Sequence, residues 1–488
     1  MGTNREKNQD SGRLNVAWGW VLLDFWIVLF LLGLTIGFHR DALPFKFEGD
    51  RPFHFVLFTG LYGALGLSFF RFLKDFLLLC PLGQLRLKAH LRRAMLRRKD
   101  KILSSAWPSA QADAFDPVSL LKAHQLIDSL YVSGESPYAI TQVQADLRDK
   151  VVLITGGGGS IGSELARQLA KLGVKQLVLL DIYENKIYAL QQELLHRYGE
   201  QLDLHVLIGS VRDEERLEEI FETYQPQWVF HAAAHKHVPL MEFAPKDAVK
   251  NNIYGSYHVA NLAGRFDCER FVLVSTDKAV HPTNVYGATK RIAEMLTLSL
   301  QEKWPNTRFI CVRFGNILAS NGSVIPLFQS QIHQERRVTL TDPKMKRFFM
   351  TIPEATCLLL EASKMAEDGQ LFILDMGEAV YIKDLACALI EREGLRPEKD
   401  VKIEYIGLRP GEKLEEELVF ANEKVEPTAY ARISMVRQVN SGLFWDEYEK
   451  ELKAVLRQKD NDLDQWLATH FIRAEASIHK IDEDQLQK

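Results

Sequence analysis

Val151-Val152-Leu153-Ile154-Thr155-Gly156-Gly157-Gly158-Gly159-Ser160-Ile161-Gly162 is the stretch on which the fold turns. A short run of β-favouring residues gives way to a glycine-rich turn, and Ser163 to Leu172 follows with helical apolar spacing. Gly156, Gly159 and Gly162 recur at three-residue intervals. Without side chains there, the backbone can turn sharply, approach a pyrophosphate and aim the free amides of the new helix at its charge. A glycine-rich turn by itself often marks an ordinary loop; the strand before it and the helix after it make this one a dinucleotide turn. Contacts to the dinucleotide are expected from Gly156, Gly159, Ser160, Ile161 and Gly162.

Working outward, Asp181 ends the next β-rich run, about 20 residues on, where a carboxylate accepts hydrogen bonds from ribose hydroxyls and repels a 2′-phosphate. No arginine stands in Ile182-Tyr183-Glu184-Asn185, so NAD is favoured over NADP. Asp213, after Gly209-Ser210-Val211-Arg212, is expected at the end of a third strand, in reach of the adenine amino group. Short β-rich runs then alternate with helical patterns: Val151–Thr155, Gln176–Asp181, Leu204–Ile208, Trp228–His231, Arg270–Ser275, Arg308–Arg313 and Leu371–Leu374. This alternation predicts an α/β fold, a doubly wound parallel sheet of Rossmann type with helices on both faces.

The chain has 488 residues, 47% apolar and 25% charged, enough for a large buried core plus a further element. Its formal net charge of -4 lacks the basic excess of proteins that bind nucleic acid. Cys80, Cys268, Cys311, Cys357 and Cys387 show no paired spacing, so neither a disulfide framework nor a zinc ribbon is indicated. Residues 16–38 and 53–70 are apolar runs of the length that spans a bilayer, broken in the first only by Asp24. The alternative is a buried helical hairpin, which Asp24 keeps open, since a carboxylate in hydrocarbon is costly. Arg86, Lys88, Arg92, Arg93, Arg97, Arg98, Lys99 and Lys101 follow the second run, and Arg5, Lys7 and Arg13 precede the first. Positive charge marks the cytoplasmic side, so both ends of the hairpin are expected in the cytoplasm, with the basic cluster against anionic lipid. The expected organisation is a membrane hairpin over residues 1–84, a basic juxtamembrane segment and linker over 85–149, a dinucleotide-binding domain over 150–315, a smaller substrate-binding subdomain over 316–440 and a helical tail over 441–488.

Chemistry concentrates after the fifth strand. Tyr286 and Lys290 stand at i and i+4, so they share a helix face, and an ammonium near the phenol favours its ionised form. A tyrosinate removes a proton from a hydroxyl while hydride leaves for a nicotinamide. Ser275 or Thr276 offers a hydroxyl to the same oxygen, and Asp277 and Lys278 add an acid and a base, or else a structural ion pair.

Thr155-Gly156-Gly157, Ala232-Ala233-Ala234, Ser275-Thr276-Asp277-Lys278 and Tyr286-Gly287-Ala288-Thr289-Lys290 together resemble the extended short-chain dehydrogenase/reductase superfamily. Within it, Gly159-Ser160-Ile161-Gly162-Ser163-Glu164-Leu165, His235-Lys236-His237-Val238-Pro239, Pro282-Thr283-Asn284 and Arg409-Pro410-Gly411-Glu412-Lys413 resemble membrane-attached polysaccharide biosynthesis proteins that are UDP-N-acetylglucosamine 4,6-dehydratases. The resemblance covers about residues 150–436. It implies Ala232, Ala233, Ser275, Tyr286 and Lys290 at the cofactor, and a UDP-N-acetylhexosamine as substrate. It also implies a catalytic domain on the cytoplasmic face of a bacterial inner membrane and a homo-oligomer.

The implied reaction oxidises sugar C4 with Tyr286 as base and Lys290 holding its charge, removes the C5 hydrogen with a partly neutral Lys278, expels the C6 hydroxyl with acid from Asp277, and returns the hydride to C6. Many long members carry Met where Tyr286 stands, whereas shorter soluble relatives with Tyr include enzymes that invert C5, so both stereochemical outcomes stay open. Lys236, His237, Asn316, Ser323, Val324, Arg347, Arg409 and Glu412 resemble the nucleotide-sugar shell, arginine suiting phosphate by its planar fork. His235 and His237 lack a third ligand nearby in sequence, so no metal is expected. A nucleotide-sugar 4-epimerase needs no group to expel the C6 hydroxyl and is the nearest alternative; a non-catalytic NAD-sensing scaffold on the membrane is an alternative of another class.

Overall fold

The apolar runs after Lys150 become β1 (Val151–Thr155), β2 (Gln176–Asp181), β3 (Leu204–Ile208), β4 (Trp228–His231), β5 (Arg270–Val274), β6 (Arg308–Arg313) and β7 (Gln370–Leu374) in a computed structural model. It describes residues 117–130, 141–367, 369–437, 445–457, 462, 463 and 465–467. The strands lie in the order β3-β2-β1-β4-β5-β6-β7, each parallel to its neighbours. The order reverses between β1 and β4, and a crevice opens there at the carboxyl ends of the strands. Strands buried on both faces read as unbroken apolar runs, which is why Val151–Thr155 and Trp228–His231 are buried throughout.

Two strands escaped the sequence reading. β8 (Lys424–Pro427) and β9 (Ile433–Arg437) extend the sheet antiparallel beyond β7, with Leu371 opposite Val436 and Leu374 opposite Ile433. Segment 316–440 is therefore interleaved with the main sheet. Its own small pairings join residues 316–317 to 349–350, 346–347 to 380–381 and 337–340 to 402–405.

Helices cover both faces. On one side α1 (Ser160–Leu172) and α2 (Ile352–Met365) pack on Val152, Ile154 and Phe372; on the other α3 (Glu214–Tyr224), α4 (Gly255–Arg265) and α5 (Val285–Lys303) pack on Leu153, Val178 and Phe271. In α1 the buried Leu165, Ala166, Leu169 and Leu172 recur at three- and four-residue steps, which gives one apolar stripe. The helix stops at Gly173, whose φ of 75° lets its N–H return to the Leu169 and Ala170 carbonyls. Truncating Leu165 or Leu169 to alanine costs about 2–5 kcal/mol.

The stretch expected as a linker is in part folded. The helix Pro117–Ser129 buries Leu120, Ala123 and Ile127 and packs against the helix Ile382–Arg392, while Thr141–Leu147 buries Val143 and Leu147 against α1 and α2. The partners Ile352–Met365 and Ile382–Arg392 lie more than two hundred residues away, beyond local reading. In the tail, the helix Trp445–Leu456 stacks Trp445 on Tyr257 at 3.8 Å, and Leu452, Leu463 and Trp466 join a cluster with Tyr286, Ile292 and Leu296 of α5. The apolar runs 16–38 and 53–70 and the basic cluster lie outside the described residues. Among the described residues no helix is long and apolar enough to cross a membrane.

Candidate active site

The turn after β1 is built for close approach. A Cβ on Gly162 would stand 2.1 Å from the Gly156 carbonyl oxygen, and one on Gly156, whose φ is +75°, would stand 2.6 Å from the Ala233 nitrogen. Any side chain would push the turn off the end of β4 and close the path to the first amides of α1. A cavity of about 200 Å³ above it is walled by Gly158, Asp181, Tyr183, Lys186, Val211, Ala232 and Ala233, among others. The Asp181 carboxylate is fixed at the rim by the Gly158 and Tyr183 amides, each donating at 2.8 Å. These residues fit a dinucleotide: Gly156, Gly159, Ser160, Ile161 and Gly162 for the pyrophosphate, Asp181 for a ribose. Asp213 departs from expectation. It caps α3, with Oδ1 accepting from the Arg216 amide at 3.1 Å, and Gly209 and Val211 supply the cavity wall in its place.

A second cavity, about 650 Å³, adjoins the first and collects the catalytic candidates, with Thr276, Lys278, Tyr286 and Lys290 in its wall. Asn284 begins α5 by accepting from the Gly287 amide at 2.8 Å, which sets the helix so that Tyr286 faces the cavity. Burial pushes the Tyr286 phenol up to about 12, against the opposing pull of the Lys278 ammonium and a hydrogen bond with Thr276. Thr276 is thus the hydroxyl beside the phenol; Ser275 donates instead to the buried Glu294 at 2.5 Å.

Lys290 also differs from expectation. Its Nζ donates to the Val274 carbonyl at 2.7 Å, and burial lowers it to about 8 despite Glu294 and Cys311. Beneath it, the buried Glu294 binds the buried Arg313 at 2.8 Å, and Arg313 reaches the partly buried Glu423 at 2.7 Å. Lys278 is a cation that favours the ionised Tyr286 phenol.

Lys278 is not partly neutral. Its Nζ lies 3.0 Å from Asp277 Oδ1, 3.2 Å from Asn316 Oδ1 and 3.5 Å from Glu416 Oε1. Burial disfavours its charge, yet Asp277 and Glu416 outweigh burial and hold the ammonium above its ordinary range. Asp277 is fully buried, accepts from Thr276 at 2.8 Å, and keeps Oδ2 without a partner. Glu416 was missed by sequence reasoning. It lines the cavity, is buried, and leaves Oε2 without a partner. Glu415-Glu416-Glu417 follow the Arg409–Lys413 motif in an undifferentiated acidic run, and nothing local marks the middle residue.

The same cavity is also lined by Lys236, His237, Asn316, Ser323, Val324, Arg409 and Glu412. Burial lowers Lys236, and the neighbouring Lys186 and Lys278 lower it further, a mutual repulsion that an anion would relieve. Ser323 begins the helix Val324–Glu335 with a buried, unpartnered hydroxyl. Arg347 also lines the cavity, and its guanidinium donates to the carbonyls of Lys346, Lys413 and Leu414 at 2.7, 2.7 and 3.0 Å. It fixes the loop that carries Glu416. Glu412 accepts from the Arg409 amide, and Lys413 donates to the Val280 carbonyl, so the two do not pair with each other.

Fold and site define an extended short-chain dehydrogenase/reductase: the parallel sheet, the glycine turn and a tyrosine and lysine on one helix beside it. Residues 152–438 match the family of polysaccharide biosynthesis proteins, and the chain belongs to that family. It is 49% identical over 318 residues to the capsular polysaccharide biosynthesis protein CapD of Staphylococcus aureus, which covers 65% of this chain and 52% of that protein. The chain thus spans about half the length of that relative. It is 36% identical over 313 residues to a UDP-glucose 4-epimerase of Rickettsia canadensis, covering 62% of this chain and 89% of the other. Pen from Bacillus thuringiensis, solved by X-ray, superposes with a TM-score of 0.56 at 36% identity over 60% of this chain and 89% of its own.

Proposed function

We propose that the chain is an NAD-dependent nucleotide-sugar 4,6-dehydratase. It converts UDP-N-acetylglucosamine, or a related UDP-N-acetylhexosamine, to the UDP-4-keto-6-deoxy sugar for surface polysaccharide synthesis. The observation that carries this reading is the pairing of Lys278 and Glu416 in the wall of the cavity that holds Tyr286, with Asp277 buried behind Lys278, which gives more acid and base than hydride transfer requires. NAD, when bound, supplies a hydride acceptor and a ring cation beside the phenol. Tyr286 takes the C4 hydroxyl proton, helped by Lys278 and Thr276, which favour its ionised form. The C5 hydrogen of the resulting ketone is acidic, and Lys278 with its carboxylate partners carries the elimination of the C6 hydroxyl. Lys236 and the unpartnered Ser323 hydroxyl suit the diphosphate.

A 4-epimerase is the second reading, favoured by one observation: two carboxylates hold Lys278 protonated, which opposes a C5 base. Substrate deuterated at C4 separates the two. Label recovered at C6 with loss of water supports dehydration, and label retained at C4 without loss of water sinks it.

The apolar runs 16–38 and 53–70 and the basic residues around them support a membrane anchor with the catalytic domain in the cytoplasm of a bacterium. Deletion of residues 1–101 should abolish sedimentation with membranes; continued sedimentation places the anchor elsewhere.

A further inference from the structure

Lys278 poses a problem for any elimination at this site. A base must carry a free electron pair, yet Nζ is placed 3.0 Å from Asp277 Oδ1, 3.2 Å from Asn316 Oδ1 and 3.5 Å from Glu416 Oε1. The charged and titratable groups around it are Asp277 and Tyr286 from its own side of the cleft, Lys236 from the lining of the same cavity, and Arg347 and Glu416 from the C-terminal segment.

The two carboxylates are not equivalent. Asp277 Oδ1 also accepts from Thr276 at 2.8 Å, and Asp277 is fully buried. Glu416 lines the cavity, its only charged contacts are Lys278 at 3.5 Å and Arg347 at 3.7 Å, both on Oε1, and its buried Oε2 has no partner among the described residues. The loop bearing it is held at three carbonyls just before Glu416. Arg347 holds the Lys413 and Leu414 carbonyls, and Thr283 and Asn284 donate to the Gly411 carbonyl at 2.9 and 3.0 Å, just before α5 begins. Such anchoring brings a glutamate from the far end of the domain to the catalytic lysine.

We propose that Glu416 is the proton partner of Lys278, taking its ammonium proton so that the lysine becomes the C5 base without exchanging a proton with solvent. This rests on the 4,6-dehydratase reading. One Nζ–H bond breaks, its proton passes to Glu416 and the electron pair stays on nitrogen. That pair takes the C5 hydrogen as a proton, and the C5–H electrons pass to the C4 carbonyl oxygen. As the ketone re-forms, the C5=C6 bond forms and the C6–O bond breaks. The proton held by Glu416 is the one the departing hydroxide needs to leave as water. No redox change accompanies these transfers.

The test uses the full chain with UDP-N-acetylglucosamine, following NAD reduction and water loss separately in single turnovers. The ion pair and its neutral form hold the same number of protons, so wild-type water loss should be flat between about pH 6 and 9. Glu416→Gln should slow water loss by about 100-fold while NAD reduction stays within about threefold, and the residual rate should rise roughly tenfold per pH unit. A wild-type rate that itself climbs roughly tenfold per pH unit overturns the inference. So does a Glu416→Gln enzyme that dehydrates at the wild-type rate, or one that is folded and loses both steps equally. Should Glu416→Gln not fold, the wild-type profile and Glu416→Asp, which keeps a carboxylate and should keep the flat profile, decide. Wild type that never releases water sinks the dehydratase reading and the inference with it, whereas the other adverse outcomes sink the inference alone.

Discussion

The Lys290 ammonium donates to the Val274 carbonyl oxygen at 2.7 Å, toward the end of β5. Shared helical spacing brings Tyr286 and Lys290 to one cavity, and Lys278 adds a second cation there that favours the ionised phenol. Charge at this site is set by groups from three parts of the chain.

Lys290 should make stability depend on alkaline pH. Its folded value, lowered to about 8 from 10.5, means that the folded state binds this proton less readily than the unfolded chain. The penalty is complete below pH 8 and is relieved as pH rises to 10.5, so stability should increase over that window by up to about 3 kcal/mol. Urea unfolding of wild type and Lys290→Met across this range checks it. The difference between them should shift in favour of wild type as pH rises.

Tyr286→Phe should lower turnover by about 10²–10⁴-fold while leaving NAD affinity nearly unchanged, because only the proton-transfer group is lost. Ultraviolet titration of the free protein should find this phenol ionising near 12, and saturation with NAD should lower that midpoint. A midpoint unmoved by NAD would count against a tyrosinate base.

Gly162→Ala should damage the dinucleotide turn first. The added Cβ would lie 2.1 Å from the Gly156 carbonyl oxygen, and backbone cannot yield there as a side chain can. We expect destabilisation of about 1–3 kcal/mol and NAD binding weakened by at least about tenfold, read by thermal unfolding and fluorescence titration.

Glu294→Leu should be among the most destabilising changes in the domain. Glu294 is buried between Arg313 at 2.8 Å and Arg291 at 3.3 Å, and its removal leaves buried guanidinium charge uncompensated. A loss of about 3–5 kcal/mol is expected in denaturant unfolding. Glu294→Gln, which still accepts hydrogen bonds, should lose less.

Much of this architecture was legible because its signals are local. A strand buried on both faces is an apolar run wherever it ends up, so β1 to β7 could be read to within a residue of their ends. β8 and β9 could not. They are short, half exposed and rich in charge, and only the free edge of β7 gives them a place to pair. Asp213 shows a role its position did not announce: its Oδ1 caps the start of α3.

The sequence by itself determined the Rossmann-type fold, the dinucleotide turn and most of the candidate groups around the cavity, because backbone geometry and residue spacing carry that information over a few residues. Tertiary structure alone decided which charges meet. Lys278 gained Glu416 from more than a hundred residues downstream, Lys290 turned to Val274, and Arg347 gave its fork to the loop at Lys413 and Leu414. Protonation depends on burial and on neighbours within a few ångströms, and those neighbours are chosen by packing, which no local pattern records.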